Sequence, residues 1–196
     1  MQDERQIKEN KGSKTTSLIE QSLKVGIHEW IIVDHTMDNP ITLWTDGLIG
    51  CVGIAIITPT CAFVTHISSK IGTEDWENTV KNEFLVAIGK IEDIDKATEC
   101  SVVGGENLTL FNAVLPSVDD IMNDKTDDKC RISYAEYKPG VAVYLGGGKP
   151  RIQVIKMAEE GPSIQYALNS VTGAKHYKAR GFFTCAEGSP ADLGKG

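Results

Sequence analysis

The sequence predicts an α+β fold: mainly antiparallel β-sheet, sandwich-like, with two to three flanking helices. Three observations predict it. Short β-rich runs separated by turn residues fill residues 27–67 and return after residue 130. The longest apolar run, Val52–Ile57, has the length of a strand and not of a membrane span. One stretch, residues 74–90, instead spaces its apolar side chains as a helix does.

Residues 1–15 are polar and charged, with almost no large apolar side chain, and are expected to form a disordered tail. Residues 17–23 carry Leu18, Ile19 and Leu23 and suit a short amphipathic helix ending at Gly26. Residues 27–34 read as a strand, Asp38-Asn39-Pro40 as a turn and residues 41–45 as the next strand. Residues 51–57 and 61–67 form a hairpin about Thr58-Pro59-Thr60. In the helix 74–90, Trp76, Val80, Phe84, Leu85 and Ile88 share a face, and acids occupy the first turn. Residues 91–98 are a connector or short helix, and residues 101–103 a strand running into Gly104-Gly105. Residues 110–122 form a second helix, in which Pro116 either disturbs the middle or marks the true start. Strands follow at 131–137, 141–145 and 151–157, with Gly146-Gly147-Gly148 turning the chain before the last; residues 164–169 and 177–184 are weaker strands. Residues 16–186 thus make one domain, and the Gly/Pro/Ser-rich residues 187–196 a flexible tail.

Composition narrows the function classes. Of 196 residues, 41% are hydrophobic and 24% charged, which excludes a fully disordered chain, a collagen and a coiled coil. Twenty Lys and Arg against 27 Asp and Glu leave a net charge of −7, with no basic stripe of the kind a nucleic acid requires. The N-terminus has no apolar core of a secretory signal. Five cysteines, Cys51, Cys61, Cys100, Cys130 and Cys185, are odd in number and irregular in spacing, so reduced thiols are expected and no zinc pattern is present.

Several signals have plainer explanations than chemistry. Gly146-Gly147-Gly148-Lys149 lacks the phosphate-loop spacing and is followed by Pro150, so it reads as a turn needing positive φ. His28 and His35 fall at the two ends of a strand, too far apart to share a metal. Asp119, Asp120, Asp124, Asp127 and Asp128 lack the glycine and terminal glutamate of a calcium loop and read as a solvated helix end.

Residues 44–53, WTDGLIGCVG, are different. A thiol follows a glycine-rich turn and opens an apolar strand. Glycines free the backbone to expose amide N–H groups beside the sulfur, the donors an oxyanion needs. His66 lies across the expected hairpin. Antiparallel partners have a constant index sum, and 51 with 66 gives 117, placing the turn's midpoint between Thr58 and Pro59. Cys51 and His66 then share a face as direct partners, and a neighbouring imidazolium would hold the thiol ionised at neutral pH.

At these residues the chain resembles the chemoreceptor glutamine deamidases (CheD) and the deamidase toxins of the cytotoxic necrotizing factor and Burkholderia lethal factor type. Their pattern, roughly T-x-G-L-x-x-C-V and then a strand, a turn and a strand ending in H-[IV], is met by Thr45, Gly47, Leu48, Cys51 and Val52, and by His66-Ile67. The order of elements is similar over about residues 27–157, the specific motifs over about a dozen residues. Gly50 stands before the cysteine as in the toxins, where chemoreceptor deamidases carry Ser. The resemblance implies Cys51 as nucleophile, His66 as general base and acid, and Thr45 as the residue orienting the imidazole through its hydroxyl or its carbonyl. It places oxyanion and substrate contacts at Gly50, Val52 and Trp44, with Trp76 a second aromatic that packing explains as well. It implies hydrolysis of a glutamine side chain in a target protein, with no cofactor and no metal; the sequence leaves the oligomeric state open, a monomer being expected, and offers no nucleic-acid footprint or membrane span. A toxin or effector exported by a dedicated system into a host cytoplasm is the expected setting. The alternatives are a chemotaxis enzyme of the bacterial cytoplasm, an inactive interaction domain of the same fold, or another cysteine hydrolase.

Overall fold

The computed structural model of the chain describes residues 22–34, 41–106, 108–145, 149–155 and 177–184. The expectations for both tails, for residues 17–21, for the turns at 38–40 and 146–148, for the strand at 164–169, and for His35 and Cys185 lie outside them.

Among the described residues ten strands form two sheets, as expected of an α+β chain dominated by antiparallel pairing. The smaller sheet holds β1 (Ser22–Lys24), β3 (Ile41–Asp46), β8 (Gly140–Leu145) and β9 (Arg151–Ile155), in that order. The larger has the order β10 (Ala179–Phe182), β2 (Glu29–Asp34), β5 (Cys61–Ile67), β4 (Val52–Ile57), β6 (Glu99–Gly104) and β7 (Arg131–Ala135). Among the described strands only the β1–β3 and β6–β7 pairs are parallel.

The larger sheet is covered on both faces. One side packs under two helical segments: residues 73–88 (α1), with a π-helical turn at Trp76–Val80, and Leu108–Thr126 (α2). Ile54, Ile56 and Phe63 meet Trp76, Phe84, Phe111 and Val118 there. The other side, with Ile31, Ala55 and Val64, meets Leu43, Val141 and Val143 of the smaller sheet. Hence every residue of β4 and β5 is buried, and both are mostly apolar, with Thr65 and His66 the polar exceptions in β5. Pro116 lies in the middle of α2 on its exposed face.

Two expectations are corrected. Ser22–Lys24 is a strand and not the end of a helix; it pairs with β3, the Val25 N–H extends the ladder to Trp44 O at 2.8 Å, and Leu23 is buried between the sheets. A helix would forfeit both the ladder and that burial. The β4–β5 register also sums to 119, with Gly53 opposite His66. Thr58 is a buried, paired residue rather than part of the loop. Its N–H bonds Cys61 O at 2.9 Å, and its hydroxyl donates to Asp93 at 2.7 Å. That leaves Pro59-Thr60 as a two-residue turn.

Candidate active site

Cys51 immediately precedes β4 at the end of the sandwich where β3 and β8 cross the hairpin. The register makes it the diagonal rather than the direct neighbour of His66, a separation still within the reach of long side chains. Both share the face that carries Ala55 and Val64, toward the smaller sheet. Gly53 between them has no side chain, and a Cβ there would press to 3.0 Å from Leu48 Cδ1. The thiol is at the mouth of this interior: Cys51 is 8% exposed, His66 2% and Thr45 not at all.

Thr45 reaches His66 from the other sheet. Its Oγ1 stands 2.8 Å from His66 Nδ1 and 2.9 Å from Val25 O. A carbonyl can only accept, and a hydroxyl has one proton, so that proton goes to Val25. Thr45 Oγ1 must then accept from Nδ1–H. The neutral ring therefore carries its proton on Nδ1, and Nε2 is left as a bare lone pair. Nε2 is sealed from solvent and has no partner among the described residues. The hydroxyl, not the carbonyl, is what orients the imidazole.

Burial, reinforced by charge on His28 and Lys24 and opposed by Asp46, pushes the His66 pKa down to about 4. The imidazole is neutral at neutral pH. This corrects the expectation of a standing thiolate–imidazolium pair: burial disfavours the cation, and His66 is a free base waiting for a proton. Above pH 6.5 neither the folded nor the unfolded state protonates this ring; between 6.5 and 4 only the unfolded state does; below 4 both do. Stability is then full above pH 6.5 and falls with pH by about 3 kcal/mol through the window down to 4. Urea unfolding at stepped pH should show a shallower loss in His66→Gln than in the wild type, and equal slopes would refute the burial argument.

The loop carrying the sulfur is held from three sides. Leu48 N–H bonds Pro139 O at 3.1 Å, Glu106 N–H bonds Ile49 O at 2.7 Å and Gly105 N–H bonds Cys51 O at 3.2 Å. Gly47 turns the chain at φ +72°. The Cys51 N–H is spent on Leu48 O at 3.2 Å, whereas the Gly50 amide donates to no acceptor among the described residues. The Gly50 amide is thus free to donate, whereas the Cys51 amide, the other donor expected beside the sulfur, is not. Val52 points its side chain to the helix-covered face, so only its backbone adjoins the site. Trp44 lies on the outer face of the smaller sheet with Ala142, turned away from its neighbour Thr45 by strand alternation. Trp76 is core on the far side of the larger sheet, donating to Ser117 Oγ.

Among the other described thiols, burial raises Cys61, raises Cys130 to about 11 and raises Cys100 well above the ordinary thiol value, so all three are held as unreactive thiols. No group of three or more His, Cys, Asp and Glu among the described residues is placed to hold a metal ion, and no described helix is long and apolar enough to cross a membrane. The acidic residues 119–128 are mostly exposed, at the end of α2 and beyond it.

Sequence reasoning set aside His28 and saw Gly105 only as a strand end. His28 adjoins the site: its N–H bonds His66 O at 2.7 Å. Gly105 packs its Cα against the Leu48 backbone. The only local signal for Gly105 was the glycine pair itself. No family model matches this chain, and no curated protein does.

Proposed function

We propose that this protein is a glutamine deamidase, converting a glutamine side chain of a target protein to glutamate. One observation carries the reading: Thr45 Oγ1 holds His66 in the tautomer that leaves Nε2 bare, one diagonal step from the Cys51 thiol. A neutral base beside a thiol is what nucleophilic attack on an amide needs when no ion pair stands ready.

Cys51 Sγ bonds to the carboxamide carbon while its proton passes to Nε2, and the carbonyl oxygen becomes an oxyanion at the Gly50 N–H. The carbon–nitrogen bond breaks as Nε2–H protonates the departing nitrogen, which leaves as ammonia. Water then adds to the thioester, giving its proton to Nε2. The carbon–sulfur bond breaks, and the sulfur recovers that proton. The sum is glutamine plus water to glutamate plus ammonia. Throughout, Nδ1–H remains bonded to Thr45, which stabilises the ring in its charged moments.

The reading extends to a bacterial effector acting on a host protein, favoured over a chemoreceptor enzyme by the toxin-like Gly50 before Cys51. The test is a mass-spectrometric map of Gln-to-Glu changes in host and bacterial lysates, each treated with the wild type or Cys51→Ser. A Cys51-dependent site in a host protein is expected. A receptor glutamine in the bacterial lysate would move the protein to chemotaxis, peptide cleavage would make it a protease, and no conversion in either lysate would defeat the deamidase reading.

A further inference from the structure

We propose that His28 is a substrate-binding residue of this site, its Nδ1 engaging the side-chain carboxamide that Cys51 attacks. The inference rests on the deamidase reading above and adds a residue that its pattern lacks.

The backbone points to a job for this ring. His28 occupies the third position of a turn closed by Glu29 N–H to Gly26 O at 3.1 Å, and its φ is +61°. A type II turn takes that left-handed value at that position and normally fills it with glycine or asparagine. His28 N–H bonds His66 O, yet the register, continued one step from Trp30 opposite Thr65, puts Glu29 opposite His66. Two residues of one strand thus face one of the other, a β-bulge, which is a device that re-aims a side chain. The conformation is held firmly. Phe183 N–H bonds His28 O at 2.8 Å, and the buried Glu29 carboxylate, paired with Arg180, accepts Gly26 N–H at 2.6 Å. Strain retained under such support marks functional positions.

The side chain adds a second, independent observation. Three buried side-chain polar atoms among the described residues have no hydrogen-bond partner: Trp44 Nε1, His66 Nε2 and His28 Nδ1. Two of the three are ring nitrogens of these adjoining histidines, close enough that charge on one ring is felt by the other. The open Nε2 has an explanation in the thiol and substrate. In the free protein the open Nδ1 has none. Burial and the charge of Lys70 both disfavour protonation of His28, so its ring offers a hydrogen bond rather than a second positive charge. A carboxamide carries N–H donors and a carbonyl acceptor, so it satisfies Nδ1 in either tautomer.

The test compares two alkylating reagents at Cys51, read by mass spectrometry of the Cys51 peptide. Iodoacetamide bears a carboxamide; methyl iodide has the same leaving group and none. Any change in thiol reactivity alters both rates, so their ratio isolates recognition of the amide. His28→Gly keeps the left-handed backbone and removes the ring. The iodoacetamide-to-methyl-iodide ratio is expected to fall about tenfold in it, the loss of one good hydrogen bond. His28→Asn also tolerates that backbone, should glycine loosen the turn. Its ratio is expected to fall about threefold, because its shorter amide meets the reagent less well. An unchanged ratio in both folded variants overturns the assignment. Because the reagents report on Cys51 itself, this outcome is separate from the lysate map: no conversion there would defeat the deamidase reading, and an unchanged ratio here would defeat the role of His28.

Discussion

Cys51→Ser is expected to lower glutamine conversion by about 10³-fold or more while leaving the melting temperature within a few degrees of wild type. A serine hydroxyl is far less acidic than a thiol, and the base it would depend on is weak. Burial has pushed His66 down to about 4, which suits a proton taken from sulfur in concert with attack and not one taken from an alcohol. The fold has little to lose. The two side chains are nearly the same shape, and a hydroxyl near His66 can donate to the open Nε2. Initial rates and thermal melts of the same preparation decide the matter. Activity retained in the variant would remove Cys51 as nucleophile; activity lost together with the fold would assign it a packing role instead.

Gly105→Ala is expected to destabilise the protein by about 3 kcal/mol, a fall in melting temperature of roughly 10 °C, and to disturb the reactivity of Cys51. A Cβ at Gly105 would lie 1.4 Å from Leu48 O and 2.7 Å from the carbonyl carbon of Ile49. Those atoms are backbone, so no side-chain rotation relieves the clash. The loop 47–50 would have to lift, stretching the bonds from Gly105 to Cys51 O and from Glu106 to Ile49 O. Gly47→Ala is the control. It also places a methyl in a glycine of this loop, but no atom lies within 4 Å of that Cβ. Only its φ of +72° resists, at about 1 kcal/mol. Equal melting temperatures for the two variants would show that the loop yields, and that Gly105 is not what fixes the sulfur.

Much of the frame was legible because it is written in local periodicity. Residues 52–57 announce their strand by an apolar run, residues 61–67 theirs by β-rich composition after a turn, and residues 74–90 their helix by spacing, even across the π-helical turn at Trp76–Val80. The second helix, expected over 110–122, runs Leu108–Thr126, which puts Pro116 inside it rather than at its start. Cys51 and His66 stood out through the glycine-rich turn and the hairpin between them, while Thr45 came only from the family resemblance. The face shared by Cys51 and His66 survived a register change because moving the index sum from 117 to 119 preserves parity. Only their pairing changed, from direct to diagonal, when Thr58 was drawn inward by Asp93, 35 residues away.

By itself, then, the sequence determined the α+β class, the hairpin, the two helices and the residues able to do nucleophilic chemistry, since each depends on neighbours a few positions apart. Tertiary structure alone decided how those residues are charged and aimed. The Thr45–His66 bond joins different sheets, and its direction depends on the carbonyl of Val25, twenty residues before Thr45. The neutral state of His66 comes from burial between layers, which no local window encodes. The strand at Ser22–Lys24, the outward face of Trp44 and the bulge that presents His28 all arise from pairing with distant strands. Packing sets which face, which tautomer and which charge, because each of these is a property of what surrounds a side chain in space.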